Sequence, residues 1–201
     1  MHNLLCIDKG AAFISTYHSV FPNNLRSKWL FKTFMDLLMP RSRPGDNVRL
    51  DPDYPQEDEY ALSNITTRCF YHFFYFPRHY RDYYDQSVRF RDITAPDRAR
   101  WKKLYKNLIL RALINSGGRY IVLKNPVNTG RIKTLMEIFP DARFVFMHRN
   151  PVTTYLSSVK FFSNLFPELI LHRFCKEDIK TMIVDNYIRL LKDYLKDRDL
   201  I

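Results

Sequence analysis

Apolar residues fall at helical spacing in four stretches of the chain. Residues 23–39 carry Leu25, Trp29, Leu30, Phe34, Leu37 and Leu38 on one stripe, and Pro40 ends the run. Residues 96–116 open at Pro96-Asp97, show Trp101, Leu104, Tyr105, Leu108 and Ala112 on one face, and close at Gly117-Gly118. Residues 151–164 follow Asn150-Pro151, an Asn cap with Pro at the first helical position. Residues 176–196 carry Ile179, Ile183, Tyr187, Leu191 and Leu195 on one stripe. Shorter helices are expected over 2–7, from Glu57 into Ile65, and over 129–138.

Two runs have strand composition. Tyr120-Ile-Val-Leu123 is apolar on both faces, as a buried parallel strand is, and Arg143-Phe-Val-Phe-Met147 is a short β-rich run. With the helix between them they form a strand–helix–strand crossover, which predicts parallel neighbours. Two strands do not make a stable sheet, so further strands are expected upstream and downstream, and the chain reads as incomplete at both ends. Residues 40–56 read as a Pro-, Asp- and Arg-rich loop. Residues 67–90 are crowded with aromatics from Phe70 to Tyr84, a pattern that suits core, lid or an apolar acceptor pocket.

The chain has 201 residues, 46% of them hydrophobic and 15% aromatic, with five glycines and no Pro/Gly/Ser-rich linker. That predicts one globular domain over 1–201. The net charge of +11 is spread through the helices and not gathered in a tail. It points to a basic cleft or surface facing phosphate-bearing molecules. Three isolated cysteines, Cys6, Cys69 and Cys175, give neither a disulfide framework nor zinc-ligand spacing, so no metal is expected and a reducing, cytoplasmic compartment is. No apolar run approaches the ~20 residues that span a bilayer.

The chemistry gathers where predicted strands end. Arg149 ends the strand 143–147 and precedes the cap of the next helix; Ser157 sits about two turns into that helix. A guanidinium fork and a hydroxyl at the carboxyl edge of a sheet suit a phosphate group. A surface pair of Arg149 with Asp141 is the alternative, and Ser158 replaces Ser157 if the register slips. Lys124 ends the strand 120–123, where an ammonium can stabilise a departing anionic oxygen, or stand simply as a surface lysine.

The run Phe139-Pro-Asp-Ala-Arg-Phe-Val-Phe-Met-His-Arg-Asn-Pro-Val-Thr-Thr-Tyr-Leu-Ser-Ser158 resembles the second conserved block of the sulfotransferases that use 3′-phosphoadenosine 5′-phosphosulfate (PAPS). Tyr120–Phe139 is similar to the block before it, and 1–25 to the segment that follows the family's first phosphate loop. The resemblance implies a P-loop-NTPase-like three-layer α/β fold, helix-rich, with a parallel sheet. It implies PAPS as co-substrate, with Arg149 and Ser157 on its 3′-phosphate and Lys124 on the leaving oxygen. The family's Arg-Ser-Gly-Thr-Thr-type loop is absent from this sequence, so little turnover is expected of these residues alone.

The general base is left open. Where some relatives carry a Glu, this chain reads Tyr17-His18-Ser19, and His18 is the residue there suited to proton transfer near neutral pH. Glu57 and Glu59 are rivals, although acidic residues also belong in a first helical turn. The acceptor is a hydroxyl or amine, with an apolar or aromatic body suggested by the composition. Two other readings stand beside this one. A P-loop nucleotide kinase would need a strand ending in Asp, which neither strand has. A non-catalytic basic module for nucleic acid or acidic partners rests on charge alone, and nucleic acid is not the expected partner.

Overall fold

The computed structural model describes residues 2–24, 26–42 and 49–201; Leu25 and residues 43–48 of the expected loop lie outside the described residues. The elements run in the order α1 (His2–Leu5), β1 (Ala11–Ala12), α2 (Thr16–Val20), α3 (Lys28–Leu38), α4 (Asp58–Ser63), α5 (Tyr80–Ser87), α6 (Ala95–Ser116), β2 (Tyr120–Ile121), α7 (Ile132–Ile138), α8 (Pro151–Leu169) and α9 (Lys176–Asp197). Short 3₁₀ turns cover Phe70–Phe74, Pro77–His79, Pro126–Gly130 and Arg198–Leu200. The class is helix-rich α/β with a parallel strand pair, as the sequence predicts. The chain forms two compact units, one of residues 1–69 and 94–125, the other of 70–93 and 126–201.

In the first unit β1 pairs with β2 in parallel, Ala11 opposite Tyr120 and Ala12 opposite Ile121. The Val122 amide donates to the Ala12 carbonyl at 2.8 Å, and the Arg119 amide to the Gly10 carbonyl at 2.8 Å. Helix α6 leads into this pair. Thr94 caps it, its hydroxyl accepting from the Asp97 amide at 3.3 Å. Gly117 ends it at φ +65°, a left-handed conformation that glycine adopts without a Cβ penalty. Gly118 then passes so close to β1 that a Cβ would lie 2.6 Å from the Ala12 amide nitrogen.

The same unit contains a second backbone lacing. The Thr16 amide donates to Tyr54 O, the Tyr17 amide to Pro52 O and the Gln56 amide to Ile14 O, at 2.7–2.9 Å. These bonds lay 52–56 along 14–17 and deliver Glu57 to the start of α4. Helix α2 opens with a capping box: the Ser15 hydroxyl accepts from the His18 amide, while the His18 ring bonds back to the Ser15 backbone. Ile14, Tyr17, Ala61, Leu62, Tyr105, Leu108 and Ile109 are buried together with Trp101, whose ring stacks on Tyr105 at 5.0 Å.

The second unit is built on aromatic packing and on charges carried by α9. Phe162 of α8 touches Phe73, Phe74 and Phe166 at ring separations of 5.0–6.0 Å. Tyr84 of α5 is buried, and its hydroxyl donates to Asp193 at 2.7 Å. Arg89 pairs with the same Asp193 at 2.7 Å and with Asp85 at 3.0 Å. Burial and the Asp193 carboxylate together push the Tyr84 phenol far above its ordinary range, so it stays a donor.

Three sequence expectations are corrected. Residues 143–147 form no strand: Val145, Phe146 and Met147 are exposed, and the Phe146 ring stacks on Tyr194 of α9 at 4.0 Å. Without a ladder partner the run takes no regular structure and gives its ring to a helix. The strand at 120–123 shortens to Tyr120–Ile121 and is not buried on both faces, since Tyr120 is exposed. Its parallel partner is Ala11–Ala12, a pair too short and too bland to read as a strand. Helix α8 passes the expected end at 164, takes Pro167 into its last turn and stops at Leu169.

Two outcomes are expected for stability. Gly118→Ala places a methyl against the Ala12 backbone and should lower unfolding free energy by about 1–3 kcal/mol in a urea melt. His18 is buried, and burial, helped by the nearby Lys28 charge, holds its imidazole down at about 4 from its ordinary 6.5. The unfolded chain therefore binds a proton that the folded chain refuses in between. That stability is full above 6.5 and is lost as pH falls toward about 4, a span of about 3 kcal/mol. His18→Gln should flatten the pH dependence of urea unfolding in this window; equal slopes for both proteins would contradict the assignment.

Candidate functional site

The first unit brings two of the predicted residues together. Lys124 follows β2, Glu57 is the N-cap of α4, and their side chains form an ion pair. The pair sits at a surface, with the Lys124 side chain 52% exposed and that of Glu57 17%.

What holds it there is underneath. Asp58 and Glu59 are fully buried, an arrangement that carries a large desolvation cost unless each oxygen finds a donor. Asn125 supplies both carboxylates from one amide group, its Nδ2 donating to Asp58 at 3.1 Å and to Glu59 at 3.0 Å. The Tyr105 hydroxyl of α6 donates to Asp58 at 2.6 Å, and the Cys69 thiol to Glu59 at 3.3 Å. Burial is the largest influence on Asp58 and raises its pKa; the Tyr105 and Asn125 bonds pull the other way, and the neighbouring Glu59 charge adds to the rise. Because Asn125 is locked to α4, the residue before it, Lys124, meets the residue that begins α4, Glu57.

His2 of α1 belongs to this neighbourhood, although nothing in its sequence context marks it. Its ring is half-buried, and its Nε2 is enclosed without a hydrogen-bond partner. Burial lowers its pKa most, and the Lys124 ammonium lowers it further, against a smaller opposing effect of Glu57. The imidazole is thus biased toward the neutral form.

His18 lies elsewhere. Its Nδ1 is engaged with Ser15, its charged neighbours are Lys28 and Asp53, and its Nε2 is buried without a hydrogen-bond partner. Glu59, the other rival base, is fully buried in the Asn125–Cys69 contacts.

In the second unit the predicted helix start is present in detail. The Asn150 side chain accepts from the amides of Val152 at 2.9 Å and Thr153 at 3.2 Å, and Pro151 occupies the first turn. Arg149 directly precedes this cap. It is exposed and makes no ion pair among the described residues. Ser157 is exposed on the same helix, its hydroxyl donating to the Thr154 carbonyl at 2.9 Å. Ser158, the alternative, is half-buried. An unpaired guanidinium beside the positive end of a 19-residue helix, with hydroxyls along it, can receive a phosphate with little rearrangement.

Against known proteins, residues 15–199 match the profile described as the sulfotransferase family. Two curated proteins are similar along the whole chain: the omega-hydroxy-beta-dihydromenaquinone-9 sulfotransferases Stf3 of Mycobacterium bovis and of Mycobacterium tuberculosis. Each is 26% identical over 206 residues, covering 100% of this chain and 51% of the relative. The chain therefore spans about half the length of the curated relatives it matches. No solved structure matches the sequence. With the match running through both units, the chain belongs to the sulfotransferase family.

Proposed function

We propose that this chain carries residues for sulfuryl transfer from PAPS to a hydroxyl or amine acceptor, with Glu57 as base and Lys124 at the leaving oxygen. The observation that carries the reading is the Lys124–Glu57 pair, held at a surface by the buried Asn125 clasp. An acceptor oxygen attacking sulfur must lose its proton, and a surface carboxylate can take it. The S–O bond to the 5′-phosphate breaks with its electron pair on the bridging oxygen of adenosine 3′,5′-bisphosphate. An ammonium at that oxygen stabilises the charge as it develops. His18 is assigned to the cap of α2, because its available nitrogen is buried.

Arg149 and Ser157 are the proposed holders of the nucleotide 3′-phosphate. Their exposure, and the absence of an ion pair to Arg149 among the described residues, support that role. The family match through 15–199 supports reading 1–201 as one sulfotransferase domain that uses PAPS. The acceptor inferred is an alcohol on an apolar body, the class named by the Stf3 relatives, whose names specify an ω-hydroxyl on a dihydromenaquinone.

Binding of adenosine 3′,5′-bisphosphate to this chain, followed by calorimetry, tests the nucleotide half. Arg149→Ala should weaken it by about 10–100-fold, the loss of a charge-assisted contact, and Ser157→Ala by about fivefold. Binding that ignores Arg149→Ala removes the 3′-phosphate assignment. In sulfuryl transfer from PAPS, Lys124→Met and Glu57→Gln should each lower kcat by about 10²–10³ and change KM little. The geometry is checked independently by NMR titration of His2: Lys124→Met should raise its pKa, because the ammonium now holds it down. An unmoved His2 would separate it from the pair.

A further inference from the structure

Helix α3 exposes what its sequence suggests it should bury. Trp29, Leu30, Phe34, Leu37 and Leu38 are each 52–80% exposed, and no residue of the helix is buried. The helix is attached to its unit by its other side: Phe31 packs on Phe21 at 5.2 Å, and Lys32 pairs with Asp53. Five large apolar side chains along three turns therefore face outward together.

The chain entering and leaving the helix is basic, while Asp36 on the helix and Asp51 and Asp53 beside Lys32 are acidic. Arg26 and Lys28 precede or begin the helix, and Arg41 follows it. Asn23, just upstream, accepts a hydrogen bond from Arg111 of α6. Arg111 lies on a stripe with Arg100 and Lys103, and these line an open cleft of about 320 Å³ together with Asn23, Ile65 and Leu104. Arg100 reaches an acid only weakly, Asp97 at 4.0 Å, and Lys103 is exposed. An apolar helix face and exposed cationic groups thus belong to one unit, linked through the Asn23–Arg111 bond.

We propose that α3 is an interfacial helix that seats this unit on an anionic lipid bilayer. The apolar face would enter the headgroup boundary by about 5–10 Å, with Arg100, Lys103 and Arg111 against lipid phosphates. Charge complementarity selects this occupant. A second copy of the chain, at net +11, would bring like-charged rims together. Nucleic acid would satisfy the arginines and leave the five apolar side chains in water. A small apolar molecule has no enclosure on the outer side of a helix. No described helix is long and apolar enough to cross a membrane, so the seat is peripheral. The inference does not depend on the sulfuryl-transfer assignment.

The chain has two tryptophans, and they make the test specific: Trp29 is 75% exposed, whereas Trp101 is 2% exposed and already apolar in its surroundings. The chain is mixed with vesicles of phosphatidylcholine alone or of phosphatidylcholine with phosphatidylglycerol. The expected result is cosedimentation with the anionic vesicles, weakened by salt, with a blue shift of emission and quenching by acyl-brominated lipid. Trp29→Phe should abolish the spectral change and keep the cosedimentation. Leu37→Glu, a change at an exposed position that spares the fold, should weaken partitioning about tenfold or more, and Arg100→Ala with Lys103→Ala should weaken it on anionic vesicles only. Absence of partitioning, partitioning indifferent to Leu37→Glu, or a Leu37-dependent dimer by sedimentation without vesicle binding would each overturn the proposal.

Discussion

Two carboxylates side by side at zero exposure would ordinarily destabilise a fold, and here they organise one. Asp58 and Glu59 open α4 inside the protein, and their oxygens must be met by donors. Asn125 and Tyr105 come from different parts of the chain to do so. The consequence is positional. Tyr105 registers α6 against α4, and Asn125 registers the end of the β2 segment against the same helix. Glu57 and Lys124 are chain neighbours of these locked groups, so their pairing at the surface follows from the clasp below. Tyr105 and Asn125 both donate to the same Asp58 oxygen, Oδ2, so losing either one weakens the compensation for its burial.

This explains what could and could not be read along the chain. The caps were legible because they are local: Asn150-Pro151 begins α8, and Gly117 ends α6, each through chemistry confined to a few residues. Glu57 and Lys124 were each recognisable as reactive types, but their contact was not, since it spans the chain and is created by Asn125. Glu59 read as a rival base or an ordinary first-turn acid, and the sequence carries no mark of its burial beside Asp58. The run 143–147 failed for a related reason. Strand composition states what a segment can do with neighbours on both sides, and Phe146 found a tyrosine ring on α9 instead.

The charge of the chain divides into two kinds. In the second unit many arginines are structural. Arg89 and Arg189 lie by the buried Tyr84 ring, at 5.0 and 5.9 Å from its centroid, and pair with Asp85, Asp185 and Asp193. Arg131, almost wholly buried, donates to the Ser87 carbonyl. These groups carry no information about ligands, although by composition they count toward a basic protein. The informative cations are those left facing solvent without a strong acidic partner, such as Arg149 in the second unit and Lys103 in the first.

A base must combine proton affinity with access, and the first unit separates the two. His18 has the usual chemistry of a base but sits where water and substrate do not reach, and burial has already removed most of its affinity for a proton. Glu57, by contrast, lies at a surface beside a cation. For sulfuryl transfer the second combination is the more useful. In the proposed transfer the leaving bisphosphate oxygen and the acceptor proton are handled in the same step, so a carboxylate and an ammonium side by side would serve both ends of it. A neutral imidazole in a helix cap serves neither. The laced segment 52–56, which delivers Glu57 to the start of α4, gives it that access, and this is why Glu57 is the proposed base.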